Sequence, residues 1–272
     1  MRTNETSIAT IIMAAGRGSR MKGYVNNKTL LPLLPGASPF EGQLPILSYI
    51  IEQLPSGRKL VVVHHRKEDV ISATRDCGVE YCEQPVLNGT GGAVLAAKAF
   101  LENIKSDVVI ITMGDVPFVK QSTYLKLADA ISAYPMVVLG FSPQDKKQYG
   151  VIEIVDGRVQ KITEWKFWKD YSEAVQKSLT VCNSGIYAVR TEVLIQYLSV
   201  MAGRPQRVTK EIDGKKVEFD EYFLTDLIEY MVADGLSVGY FSVNDPDETM
   251  GVDDLCALEK AQRLYQHRAG LR

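Results

Sequence analysis

The chain has 272 residues, 46% hydrophobic and 24% charged, which is ordinary globular composition. That length admits one large α/β domain or two small ones, and either buries a substantial core. A formal net charge of −2 speaks against nonspecific nucleic-acid binding, which needs a basic field, but leaves room for a local basic pocket.

Arg2 ahead of the apolar run Ile8–Ala15 has a faint signal-peptide pattern, but Glu5 interrupts its basic end and the run is short. No stretch approaches the ~20 apolar residues of a membrane span. Cys77, Cys82, Cys182 and Cys256 form no CxxC pair and suit no zinc spacing, so they read as reduced thiols. A cytoplasmic protein with no membrane or nucleic-acid partner is expected.

In the first half, strands are predicted at Ala9–Met13, Leu60–Val63, Val108–Met113 and Met136–Leu139. Helices are predicted between them at Ile46–Gln53, Ala93–Asn103 and Ser122–Ser132. Gly36–Pro45 reads as a flexible surface loop, and His64 and His65 as loop residues with no spaced metal-ligand partner. Alternating strands and helices imply right-handed βαβ units, a largely parallel sheet, and ligands at the strands' carboxyl ends. In the second half, Gly150–Val155 and Val159–Ile162 are predicted strands joined by an Asp156-Gly157 turn, followed by a strand at Gly185–Val189. Glu221–Ala233 and Asp254–His267 are predicted helices. Lys161–Lys177 reads as a solvated amphipathic segment, with a substrate lid as the alternative. With no linker and no repeat, the β-rich part reads as a lobe on a single domain.

Three constellations can carry chemistry. Met13-Ala-Ala-Gly-Arg-Gly-Ser-Arg-Met21 follows a strand; its small residues let backbone N–H groups approach phosphate oxygens, and Arg20 adds positive charge. It is not a dinucleotide fingerprint, because Met21 stands where GxGxxG needs glycine, nor a Walker A loop, because Tyr24 replaces the lysine. Lys28, in the same loop, could neutralise charge on a transferred group. The second constellation, Gln84–Gly92 (QPVLNGTGG), precedes a helix; glycines permit close backbone approach and Thr90 can hydrogen-bond or cap. The third is Gly114-Asp115-Val116-Pro117 at a strand end, where a carboxylate could hold magnesium against phosphates with Asp253 as its partner. The alternative for Asp115, Asp253 or Asp254 is a helix cap.

Seven blocks in order, IIMAAGRGSRM, NKTLLPL, EQPVLNGTGGA, GDVPF, YGVIEI with DGRVQKITEWK, NSGIYAV, and EYFLTD ahead of GVDD, resemble the sugar-1-phosphate nucleotidyltransferases. The likeness is greatest to the uridyltransferase domain of bacterial N-acetylglucosamine-1-phosphate uridyltransferases. It implies a Rossmann-like three-layer αβα fold with a mixed, mostly parallel central sheet and a small β-rich sugar-binding lobe. Residues 1–145 would bind nucleotide, 146–240 sugar, and 241–272 would supply a metal ligand and a terminal helix. The resemblance implies that Met13, Ala14, Ala15, Gly16, Gly18, Gln84, Gly89, Thr90, Met113 and Gly114 bind the nucleotide. Arg20, Lys28 and Asp115 would be catalytic, and Asp115 and Asp253 would hold Mg2+. Gly150, Glu164, Asn183 and Thr225 would grip the sugar, with Glu221, Tyr222 and Asp226 nearby.

The implied reaction joins a nucleoside triphosphate, UTP favoured, to a sugar-1-phosphate, N-acetylglucosamine-1-phosphate favoured. Other bases, other sugars, or a non-catalytic nucleotide-sugar-binding regulator are the alternatives, and monomer and homodimer both remain open. The sequence departs from the uridyltransferases at Leu87, where a second glutamine is usual, at Gly92 for histidine, Met113 for tyrosine, and Asp253 for asparagine, a position where other sugar nucleotidyltransferases use aspartate and either supplies an oxygen ligand. Gly36–Pro45 and Lys166–Thr180 are longer than in the relatives. No hexapeptide repeat follows, so no acetyltransferase activity is expected of this sequence.

Overall fold

Aliphatic and β-branched runs form the strands of this protein, and amphipathic runs between them form its helices. The computed structural model describes residues 6–18, 20–21, 23–212 and 215–271. Arg2 and Glu5 of the signal-like pattern, and Ser19 of the glycine turn, lie outside the described residues. The strands are β1 (Ile8–Met13), β2 (Pro32–Pro35), β3 (Gly42–Pro45), β4 (Arg58–Val63), β5 (Glu80–Glu83), β6 (Val108–Met113), β7 (Met136–Phe141), β8 (Val151–Val155), β9 (Arg158–Thr163), β10 (Cys182–Arg190), β11 (Gln206–Ile212), β12 (Lys215–Glu221) and β13 (Val238–Val243). The helices are α1 (Ile46–Gln53), α2 (Lys67–Thr74), α3 (Gly89–Ala96), α4 (Lys98–Glu102), α5 (Gln121–Ala130), α6 (Trp165–Trp168), α7 (Glu173–Ser178), α8 (Thr191–Ala202), α9 (Asp226–Ala233) and α10 (Leu255–Arg268).

Nine strands make one mixed sheet in the order β5-β4-β1-β6-β10-β7-β13-β9-β8. β5, β4, β1 and β6 pair in parallel, as do β7 and β13, while β10 runs antiparallel to both β6 and β7. The β8–β9 hairpin joins the rest through single bridges, Val159 to Val238 and Val151 to Cys182. Successive residues of β1 point to opposite faces. Ile12 packs into a cluster with α1, α5 and α10, and Ile11 into one with α3, α4, α8 and α9. Burial on both faces produces the expected three layers and explains why β1, β4 and β6 read as unbroken apolar runs.

Three elements differ from the sequence reading. Gly36–Pro45 is not simply a flexible loop: β3 pairs with β2, and the buried Gln262 of α10 donates through Nε2 to the carbonyls of Pro32 (2.9 Å) and Pro39 (2.8 Å). Polar composition hid a hairpin that a distant helix pins. The helix predicted at Ala93–Asn103 starts earlier and is two helices, α3 and α4, with Ala97 turning between them through an N–H bond to Val94. Its start in a glycine-rich run is set by close packing: a Cβ on Gly91 would stand 2.8 Å from Met201 Sδ, and Gly91 N–H donates to the Tyr222 carbonyl. The helix predicted from Glu221 begins only at Asp226, because Lys215–Glu221 pairs with Gln206–Ile212 as a hairpin, Val208 opposite Phe219.

Lys161–Lys177 is built around Trp168, which is buried and donates through Nε1 to the Tyr149 carbonyl at 2.9 Å; α7 beyond it buries no side chain. The four cysteines are free thiols, and among the described residues no helix is long and apolar enough to cross a membrane.

Gln262→Ala strands two carbonyl acceptors beneath the β2–β3 hairpin. It is expected to lower unfolding free energy by about 1–2 kcal/mol, read by urea denaturation, and to make the 36–45 segment more susceptible to limited proteolysis.

Candidate active site

β1 and β6 are parallel neighbours in register, Met13 beside Met113, so the loops leaving them start side by side. The first loop is stitched down at once: Ala14 N–H donates to Val62, Gly114 N–H to Met13, both at 3.0 Å. Fully buried Asn27 then clamps the returning chain. Its Nδ2 donates to the carbonyls of Ala14 (2.8 Å) and His65 (2.9 Å), while its Oδ1 accepts from the Thr29 N–H and hydroxyl. Lys28 stands between those anchors, in a short 3-10 turn capped by Asn27.

The Lys28 ammonium lies between two carboxylates. It bonds Asp115 Oδ2 and, at 2.8 Å, Asp253 Oδ1. Exposed Arg20 adds a second bond to Asp253 Oδ1 at 3.1 Å. Asp115 is buried at the end of β6, and its backbone carbonyl accepts from Val252 N–H at 2.9 Å, which brings the segment carrying Asp253 across to it. Neither residue is a helix cap; that work belongs to Asp254, whose carboxylate accepts from Ala257 N–H ahead of α10. Burial alone would lower the Lys28 pKa, but Asp115 and Asp253 outweigh it and hold the ammonium above the usual lysine value. Burial would likewise raise Asp253, yet Lys28 and then Arg20 hold it below the usual aspartate value.

From this cluster a cleft of about 570 Å³ runs along the carboxyl edge of the sheet. Met13, Arg20, Lys28, Thr90, Met113, Asp115 and Asp253 line one part of it, and Gly150, Glu164, Asn183 and Thr225 another. The structure therefore brings eleven of the expected site residues to one cavity. Asn183 arrives there because β10 runs antiparallel to its neighbours; it donates to the Tyr187 hydroxyl (2.8 Å) and accepts from Gly185 N–H (3.0 Å). Burial pushes the Glu164 carboxyl above its usual range, partly offset by Lys166 and reinforced by Asp226.

Ala14, Ala15, Gly16, Gly18, Gln84, Gly89 and Gly114 are outside the residues lining that cleft. Gly18 flanks it, since a Cβ there would come 3.0 Å from Lys28 Cβ. Gln84 is buried and turned into its own loop, its Nε2 donating to Asn88 Oδ1 (3.0 Å) and the Gly89 carbonyl (3.1 Å). Thr90 Oγ1 accepts from Leu224 N–H at 3.1 Å, tying the loop to the segment before α9. Asn27, Tyr149, Trp165, Lys166 and Phe223 were not singled out from the sequence: the first clamps Lys28 and the others line the cleft. They lie inside the ordered blocks or beside them, but no spacing marks them as functional.

A mixed αβα sheet with a glycine turn, a lysine and two converging carboxylates at its carboxyl edge is the architecture of a nucleotidyltransferase. A family model described as the MobA-like NTP transferase domain matches residues 10–178, and the chain belongs to that family. The bifunctional protein GlmU of Ruegeria sp. (strain TM1040) is 33% identical over 268 residues, 97% of this chain and 54% of the relative. GlmU of Novosphingobium aromaticivorans is 33% identical over 270 residues, with the same coverage of 97% and 54%. The chain thus spans about half the length of these curated relatives. Among solved structures, the uridine diphosphate N-acetylglucosamine pyrophosphorylase of Trypanosoma brucei aligns with a TM-score of 0.69 at 14% identity, covering 94% of this chain and 65% of that one. A Bacillus anthracis protein described as a glucose-1-phosphate thymidylyltransferase aligns at 0.68 and 19%, covering 95% of both chains. At those identities the two structures establish the fold.

The two pKa shifts fix how the ion cluster responds to pH. Asp253 is depressed, so its contribution is present above the unfolded value and lost as pH falls through the folded one; Lys28 is raised, so its contribution is present below the unfolded value and lost as pH rises through the folded one. Both operate at neutral pH. Lys28→Met leaves buried Asp115 without its cation and Asp253 with only exposed Arg20, so the expected loss at pH 7 is about 2–3 kcal/mol. The gap from wild type should narrow below about pH 4, where carboxylates protonate, and paired urea titrations at the two pH values measure it.

Proposed function

We propose that this protein is a sugar-1-phosphate nucleotidyltransferase, with UTP as the favoured donor, N-acetylglucosamine-1-phosphate as the favoured acceptor, and Mg2+ as cofactor. The observation that carries the reading is the convergence of Lys28, Asp115, Asp253 and Arg20 beside the glycine turn, in a cleft of about 570 Å³ that Gly150, Glu164, Asn183 and Thr225 also line.

The donor set fits a hard divalent cation. Asp115 and Asp253 both present carboxylate oxygens to one positive charge. Among the described residues there is no group of three or more His, Cys, Asp or Glu able to hold a metal. Two carboxylates suit magnesium, which keeps several waters and completes its shell with substrate phosphate oxygens. When bound, it would neutralise charge on the phosphates and on the departing pyrophosphate.

The chain's own residues would do the rest. An oxygen of the sugar phosphate attacks the α-phosphorus of the triphosphate in line. The new P–O bond forms as the bond to the bridging oxygen breaks, and that electron pair leaves with pyrophosphate. Such chemistry asks for positioning and charge neutralisation more than for a protein base. Lys28 and Arg20 offset the repulsion between two polyanions. The backbone of Met13–Gly16 and Gly18, with Met113, Gly114 and Thr90, would seat the nucleotide, and Gln84 and Gly89 would shape the loop near its base. Gly150, Glu164, Asn183 and Thr225 would hold the sugar. A Cβ at Gly150 would press on Ile162 Cγ2 at 3.1 Å and stand in ordinary contact, 3.5 Å, with both Glu164 carboxylate oxygens.

Screening UTP, dTTP, GTP and CTP against a panel of hexose and N-acetylhexosamine 1-phosphates for pyrophosphate release tests the proposal. UTP with N-acetylglucosamine-1-phosphate is expected to give the highest kcat/KM. A different best pair would reassign base or sugar, and tight nucleotide binding without turnover under Mg2+ would make the protein a regulator. Asp115→Ala is expected to lower kcat by about a thousandfold, roughly 4 kcal/mol of transition-state stabilisation, with the fold intact by circular dichroism. Near-normal kinetics in that variant would remove Asp115 from the mechanism.

A further inference from the structure

Charge counting at the ion cluster leads beyond the reaction itself. Two carboxylates, Asp115 and Asp253, face two cations, Lys28 and Arg20, so the group is electrically balanced without any ligand. The Lys28–Asp115 pair is held largely out of solvent, its side chains only 17% and 7% exposed, whereas Asp253 is partly solvated and Arg20 exposed. Lys28 is also confined. Its neighbours are anchored through Asn27 to the Ala14 and His65 carbonyls, and its stem packs where a Cβ on Gly18 would stand 3.0–3.2 Å away.

We infer that Lys28 acts as a built-in counter-ion in the place a divalent cation would take between Asp115 and Asp253, so that cation and polyphosphate bind to this protein as a pair. The inference rests on the nucleotidyltransferase reading for the identity of the cation and the polyphosphate. Its physical content is an ion exchange. A lone divalent cation must displace an ammonium from both carboxylates, leave that ammonium partly buried without a partner, and add two positive charges to a neutral cluster. Each of these is unfavourable. A triphosphate changes the sum, because its oxygens give Lys28 and Arg20 new anionic partners and so release the carboxylates. Cation and nucleotide then assist each other's binding by the same factor, as linkage requires.

Nucleotide-free protein can be titrated with Mn2+ alone, following free ion by electron paramagnetic resonance. Wild type is expected to bind more weakly than about 1 mM. Lys28→Met and the polar variant Lys28→Gln should each bind at least about tenfold more tightly, and adding Asp115→Asn to either should abolish the gain. Submillimolar Mn2+ binding by nucleotide-free wild type that Asp115→Asn removes would overturn the inference, and that measurement does not depend on any Lys28 variant folding. Unchanged affinity in both Lys28 variants would overturn it equally. A ternary complex with a non-hydrolysable triphosphate analogue, read as enhanced water-proton relaxation, is expected in wild type. If the Lys28 results hold and no ternary complex forms with any nucleotide, the nucleotidyltransferase reading fails while the ion exchange stands.

Discussion

A single ammonium group neutralises two converging carboxylates at the carboxyl edge of this protein's sheet. Lys28, Asp115 and Asp253 come from three loops widely separated in the chain, and without the lysine the two carboxylates would repel each other in a half-buried site. The backbone does much of the arranging before charge acts. In-register pairing of β1 with β6 sets Met13 beside Met113, Gly114 N–H bonds back to Met13, and Val252 N–H bonds to the Asp115 carbonyl. Asn27 fixes the residue on either side of Lys28's approach, satisfying carbonyls of the glycine turn and of the β4 loop with one buried amide. Ion pairing thus follows geometry that hydrogen bonds have already established, which reduces the side-chain entropy cost of bringing four charged groups together.

The mixed sheet has a consequence for how the cleft is populated. Parallel strands β1 and β6 deliver their carboxyl-end loops to one edge, as ligand sites in such sheets require. Antiparallel β10 delivers its amino end to the same edge, so Asn183 and Gly185 line the cleft with Met113 at the end of β6, which a Cβ on Gly185 would approach to 3.2 Å. Reversing one strand inside an otherwise parallel stretch therefore enlarges the set of elements that can reach a common ligand. The irregular register of β10 between Asn183 and Tyr187 falls at this point, where the strand leaves regular pairing with β7 to turn side chains toward the cleft.

Much of this was legible in the sequence, for reasons that can be named. β1, β4, β6 and β7 are buried on both faces and read as short continuous apolar runs. β13 is only partly buried, with Tyr240 exposed, and Gly239 and Ser242 break its apolar run, so it escaped notice. Gly239 is required there by packing, since a Cβ would come within 2.5 Å of the Tyr134 ring, a contact that only the folded chain shows. At the site, Lys28, Asp115 and Asp253 were each ambiguous alone, a surface charge or helix caps as readily as ligands, and the resemblance of the ordered blocks made them a set. What no spacing could reveal was that Lys28 itself bridges the two carboxylates, or that the plain residue before it, Asn27, holds the turn in place. Both depend on contacts between segments far apart in the chain.

Two of the departures expected in the Gln84–Gly92 loop, at Gly92 and Leu87, each have a packing context in the structure. Gly92 leaves room that a larger residue would fill, and the Asn88 amide occupies it; a Cβ on Gly92 would stand 1.8 Å from Asn88 Oδ1. Asn88 in turn takes a hydrogen bond from Gln84, whose Nε2 would otherwise be buried with only the Gly89 carbonyl as partner. Leu87, where a polar residue is usual, packs against the apolar cluster formed with α3, α4, α8 and α9. A side chain at position 92 would therefore require the Asn88 amide to move, which breaks its hydrogen bond with Gln84. The loop keeps its attachment to the Tyr222 backbone through Asn88 and Gly91 and its Thr90 contact to Leu224. The distinctive packing thus lies in the interior of the loop, behind Gln84, and not in the ion cluster of Lys28, Asp115 and Asp253.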